Sequence, residues 1–241
     1  MLPLDLPQLT AMFLGGCYLA GFVALFMAWR EPAWGGAVVI GPGVFAATGL
    51  TLAVTVMEYG HFRWSSPDPV VRLVAYGFLA AALVAPIGWL YIVFGNHLRW
   101  VADPAGRPPL PTPLLALVAL QSMLLLGAGS GLFVAPESIP WPWHLASPGD
   151  RLAGSWLVAF ALTGLAVLVE RDEGRNRAAF AGCLALALLQ LGAAGVNLRS
   201  FRLDPAGVAY WCFLLSLVLS GTAGLRRGVR DPRPRAAPFA R

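Results

Sequence analysis

Apolar residues along this chain neither alternate nor recur at a helical spacing. They come in seven long runs, at 9–29, 36–57, 70–94, 113–134, 152–169, 178–197 and 207–225, separated by short polar clusters. A helix crosses the hydrocarbon core of a bilayer with about 20 mostly apolar residues at roughly 1.5 Å each, which is the length of these runs. The breaks carry turn and helix-start chemistry: Arg30-Glu31-Pro32, Pro67-Asp68-Pro69, Asp103-Pro104-Ala105-Gly106 and Asp204-Pro205. The pattern predicts an all-α polytopic membrane protein with seven transmembrane helices. Residues 1–241 form a single transmembrane domain, because no connection is long enough to hold a soluble one. The first run has no basic segment before it and is longer than a signal-peptide core, so it is expected to stay in the protein.

The chain also resembles itself. Leu14-Gly15-Gly16-Cys17-Tyr18-Leu19 aligns with Leu152-Ala153-Gly154-Ser155-Trp156-Leu157. In the same order, Phe62-Arg63 aligns with Phe201-Arg202, Asp68-Pro69 with Asp204-Pro205, and Val74-Ala75-Tyr76 with Val208-Ala209-Tyr210. Asp, Arg and Tyr are scarce here, so the later matches carry the argument. The expected layout is a three-helix repeat at 9–94, a linker helix at 113–134, a second repeat at 152–225 and a basic tail at 226–241. Both triplets begin on the same side, so the repeats are parallel.

Composition agrees with the pattern: 58% of residues are hydrophobic, only 12% are charged, and the mean hydropathy is +0.68. The formal charge of +5 comes from 17 basic residues, all of them Arg. Twelve Arg fall on the first, third and fifth connections plus the tail, and five on the other side. Arg-rich loops stay cytoplasmic, which puts the N-terminus outside and the C-terminus inside. The charge therefore reads as a topology signal rather than a nucleic-acid footprint. The partners expected are the lipid bilayer and, at the Arg-rich tail, anionic lipid. No protein partner is legible.

The layout resembles that of the SWEET sugar transporters and their PQ-loop relatives, at the level of architecture; the Pro-Gln dipeptide occurs once, at Pro7-Gln8, ahead of the first run. Separately, Trp141-Pro142-Trp143-His144-Leu145 with Arg151-Leu152-Ala153-Gly154-Ser155-Trp156-Leu157 resembles a stretch in uncharacterised multi-pass proteins of high-GC bacteria. The first implies solute facilitation. The second implies a bacterial cytoplasmic membrane and no activity.

Candidate chemistry is sparse. No ionisable group falls well inside a run, which argues against a proton pump, and the lack of Lys removes a retinal Schiff base. His61, His97 and His144 lie at or beyond run ends, where they cannot hold a haem between helices. Cys17, Cys183 and Cys212 have no metal or disulfide spacing. No cofactor or catalytic motif is present, and no metal is expected. An outer polar cluster of Glu58, His61, Glu137 and His144 includes an E-x-x-H, whose members share a helix face; its expected use is to solvate a loop. Trp64, Trp141, Trp143, Trp156 and Trp211 are expected near the outer boundary, and Trp29, Trp34 and Trp100 near the inner one. Within the runs, Gln121, Ser122 and Gln190 are expected at mid-depth, either as interhelical hydrogen-bond glue or as the wall of a substrate path. Gly127 and Gly131 form a G-x-x-x-G suited to helix packing. The reading that results is a non-catalytic membrane component that binds a ligand, lipid or partner. The alternative is a facilitator for a small neutral solute, in which Gln121 and Gln190 would face each other across a cavity.

Overall fold

The computed structural model describes residues 6–30, 35–62, 64–73, 75–77, 79–80, 83, 109–145, 147–198, 201 and 204–227. Six helices long and apolar enough to cross a membrane lie among them: α1 (Gln8–Arg30), α2 (Gly35–Met57), α3 (Thr112–Val134), α4 (Gly149–Glu170), α5 (Arg177–Val196) and α6 (Pro205–Arg227). Of the predicted run 70–94, helical backbone is described at 70–73, 75–77, 79–80 and 83, beginning at Pro69; the rest lies outside the described residues, as do His97, Trp34, Trp100 and the tail beyond 227.

Local chemistry sets the helix starts. Asp204 Oδ1 accepts the Gly207 N–H at 2.9 Å, and Asp68 Oδ1 accepts the Val70 N–H at 2.9 Å. Each Asp thus satisfies a first-turn donor that has no partner within its helix. Pro113 in the first turn of α3 costs nothing, since that N–H is unbonded in any helix. At its other end α4 stops at Arg171, the one described non-glycine residue with positive φ (51°).

Side-chain contacts fix which helix ends lie together. Trp143 Nε1 donates to Thr10 Oγ1 at 3.2 Å, Arg151 reaches Glu58, and Tyr210 reaches Gln190, which in turn reaches Phe13. The starts of α1, α4 and α6 therefore share one end with the finishes of α2, α3 and α5; we name it the upper end. At the lower end, the Leu110 N–H donates to the Arg171 carbonyl at 2.9 Å, and Gly224 meets Phe180.

The principal helix pairs are α3 with α4, α1 with α5, α2 with α4 and α5 with α6. Small residues bring the backbones together. A methyl group on Gly129 would lie 2.8 Å from the Val158 amide nitrogen and 2.9 Å from the Gly154 carbonyl oxygen. Two further glycine contacts have the same form. Gly43 of α2 sits against the Ala159 carbonyl and Thr163 of α4, and Gly182 of α5 sits against the Ala20 carbonyl and Ala24 of α1. Gly43 and Gly182, Ala20 and Ala159, and Ala24 and Thr163 are each 139 positions apart.

Candidate functional site: a cavity between the helices

The helices are held apart in the middle of the bundle, where a cavity of about 340 Å³ opens between α1, α2, α4 and α5 and extends to α3 and α6. Its size follows from short side chains. Gly21 on α1, Ala47 on α2 and Ala179 on α5 line it with little side-chain bulk, while Ala20 and Ala24, also in the lining, are where α1 closes against Gly182. The volume sits at the lower end of the roughly 300–1,000 Å³ of small-molecule sites. Among the described residues the wall is predominantly apolar and holds no charged side chain.

Above the cavity the bundle is closed by aromatic rings. Trp143 meets Phe13, Phe201 and Tyr210 with ring centroids 5.9, 5.5 and 5.5 Å apart, and Trp141 packs edge-on against Phe13 at 5.6 Å. Trp143 is only 6% exposed. The Trp-Pro-Trp segment therefore folds over the helix ends, because the Thr10 hydroxyl and three aromatic faces receive it. Trp156 departs further from the expected boundary position. It is two turns into α4, buried, lines the cavity and meets the Tyr18 ring at 4.7 Å.

Among the described residues the consecutive helices α1 and α2 meet sparsely, and two residues of the cavity lining, Phe22 and Leu25, are 64% and 47% exposed.

The two amides behave differently. Both are buried, but they lie at different depths and do not face each other. Gln190 is two turns from the upper end of α5 rather than at mid-depth. Its Nε2 donates to the Phe13 carbonyl at 2.9 Å and its Oε1 accepts from the Tyr210 hydroxyl at 3.2 Å, so it knits α1, α5 and α6 and is absent from the cavity wall. Gln121 lies near the middle of α3 and lines the cavity with Ser122. Its Nε2 donates to Ser216 Oγ at 2.9 Å and Ser220 Oγ at 3.3 Å. Ser122 donates to the carbonyl of Val118, one turn back.

The polar cluster at the upper end divides as well. Glu58, 8% exposed, is held by the Arg151 guanidinium at 2.5 Å and by His61 Nδ1 at 2.9 Å. That arrangement uses both carboxylate oxygens and ties the end of α2 to the start of α4. Glu137 and His144 are exposed and join neither contact. Among the described residues no group of three His, Cys, Asp or Glu is placed to hold a metal ion. Of the G-x-x-x-G pair, Gly127 faces open space and Gly131 meets Ile139 beyond the helix end; the close approach of α3 to α4 falls on Gly129. Residues 127 and 131 share a helix face that 129 does not, so the predicted packing register is corrected by half a turn.

Sequence reading missed the ion pair between Glu58 and Arg151, the place of Trp156, and the cavity itself. The available signal was the run of small residues in α1, whose other face is bulky. Compared with protein-family models, curated proteins and solved structures, the chain matches none of them.

Proposed function

We propose that this integral membrane protein is a non-catalytic binding component that takes an apolar, lipid-like ligand from the bilayer into the cavity between its helices. The observation that carries the reading is the cavity: among the described residues its wall is uncharged and mostly hydrocarbon, and α1 and α2, the proposed entry, meet sparsely beside it. A ligand entering by that route need never meet water. Of the three residues predicted for the facilitator's path, Gln190 is spent on Phe13 and Tyr210, which leaves Gln121 and Ser122.

We further propose seven spans, arranged as two parallel three-helix repeats around α3 as linker, a layout like that of SWEET and PQ-loop proteins. Support for the seventh span comes from its neighbours. Trp64 packs on Tyr59 and Phe62 beside the finish of α2, at the upper end, whereas Leu110 pairs with Arg171 at the lower end. The apolar run 70–94 lies between these two points. Support for the repeat comes from the glycine contacts 139 positions apart, one residue off the 138 that separates Tyr18 from Trp156, its touching counterpart in the alignment. The proposed setting is a bacterial cytoplasmic membrane, with the upper end outside. Arg30, Arg171, Arg175, Arg177, Arg226 and Arg227 all fall at the lower end, and the tail there favours anionic lipid.

Native mass spectrometry of protein extracted from its membrane tests the binding reading. Wild type is expected to carry a bound apolar molecule, and Ala47→Leu or Ala47→Phe, which fill the cavity, are expected to lose it. Wild type free of bound lipid, or filled variants that retain it, would overturn the reading.

A further inference from the structure

The hydrogen bonds around Gln121 specify the ligand more closely. Ser216 donates its hydroxyl proton to the Phe213 carbonyl at 2.7 Å, and Ser220 donates to the Leu217 carbonyl at 3.3 Å. The Ser216 proton is committed to its own helix and the Ser220 proton to Leu217 or to Cys183 Sγ at 3.5 Å, so both hydroxyl oxygens meet Gln121 as acceptors and the amide presents its NH₂ group to them. Both N–H donors are consumed, and the carbonyl oxygen Oε1 of this cavity-lining side chain has no hydrogen-bond partner among the described residues. Gln190 provides the internal contrast, since its Oε1 is occupied by Tyr210.

An unpaired acceptor in hydrocarbon is costly, and a ligand that supplies a donor recovers that cost. Water is a poor match. A buried water usually makes about three hydrogen bonds; here it could donate to Oε1 and to a wall hydroxyl oxygen, but the hydroxyls of Ser122 and Thr163 donate to the carbonyls of Val118 and Ala159 and so offer it no proton to accept. A cationic donor is a poor match too, with no carboxylate in the wall. What fits is one uncharged O–H on an otherwise apolar body.

Building on the reading of the cavity as a lipid-binding site, we infer that its ligand is a long-chain or polycyclic aliphatic alcohol, whose hydroxyl donates to Gln121 Oε1 while its hydrocarbon occupies the space between α1, α2, α4 and α5. The serine pair on α6 acts as a positioning device: it holds the amide so that only an acceptor is offered.

Photolabelling of the full chain in phosphatidylcholine nanodiscs provides the test, with three diazirine probes of equal chain length: hexadecanol, its methyl ether, and the matching ketone. The alcohol is expected to label cavity residues at about tenfold lower concentration than the ether, the ratio one buried hydrogen bond supports. In Gln121→Met the two probes should label equally. In Ser216→Ala/Ser220→Ala, where the amide is free to turn, the preference should fall most of the way. Wild-type labelling of the cavity by alcohol and ether at the same concentration, or in favour of the ketone, overturns the alcohol assignment while leaving the binding reading intact. No labelling of the cavity by any probe overturns both.

Discussion

Replacing Gly129 with Ala should destabilise the protein, whereas the same change at Gly127, two residues earlier on α3, should not. The new Cβ at 129 would lie 2.8 Å from the Val158 amide nitrogen and 2.9 Å from both the Gly154 carbonyl oxygen and Leu157 Cβ. Unstrained carbon contacts lie near 3.5–4.0 Å, so α3 and α4 must part by about 0.7–1 Å. Two of the three obstacles are backbone and cannot rotate away. Overpacking of this kind costs about 1–3 kcal/mol, and the better helix propensity of Ala returns at most about 1 kcal/mol. The net loss is about 1–2 kcal/mol, on one of the principal helix pairs in the bundle. At Gly127 nothing lies within 4 Å of the added methyl, so only the propensity gain remains. The propensity gain is common to both, so the two variants should differ by the overpacking cost, about 1–3 kcal/mol, or about 2–12 °C in Tm at roughly 2–4 °C per kcal/mol for a chain of this size. Thermal unfolding in a mild detergent, followed by tryptophan fluorescence, reads the difference. Equal Tm values, or a higher value for the Gly129 variant, would refute the α3–α4 register.

Three other outcomes follow from the same geometry. A double-mutant cycle on Glu58→Gln and Arg151→Leu should return a coupling of about 1.5–3 kcal/mol, the range for charged hydrogen bonds, because Glu58 is nearly buried; coupling near zero in the unfolding assay would mean the pair is solvated. Gly43→Ala and Gly182→Ala, each of which places a methyl within 3.0 Å of the facing helix, should lower Tm by similar amounts if the two sites are equivalent, and a loss confined to one of them would count against the repeat. Asn176 is fully buried and neither of its amide atoms has a partner, so Asn176→Leu should raise stability by about 1–3 kcal/mol, the penalty of a buried unsatisfied group; a fall in Tm would show that the amide is satisfied in the membrane.

The helix boundaries were legible because length and apolarity are properties of a run, and hydrocarbon thickness selects for both. Which face each helix turns inward was not. Spans such as α1 and α3 are apolar all round, so no polar stripe marks their outward face. Gly127 and Gly129 are indistinguishable to a pattern, and only the position of Gly154 on the neighbouring helix separates them. Gln121 and Gln190 likewise look alike in sequence. Their difference arises from Ser216 and Ser220 in one case and Tyr210 in the other, all distant along the chain and brought near by packing. Glu58 and Arg151 are separated by 93 residues, beyond any local rule. The aligned Asp68 and Asp204 are an instance where sequence and structure coincide, since each does the same local work at a helix start.

The account rests most heavily on the cavity holding a ligand drawn from the bilayer. A density map of the protein in nanodiscs made from its native lipids addresses this directly. The account predicts elongated density between α1 and α2, running past Trp156 and ending within hydrogen-bonding distance of Gln121 Oε1. A cavity filled by side chains of the chain's own 70–94 segment, or by ordered water alone, would contradict it.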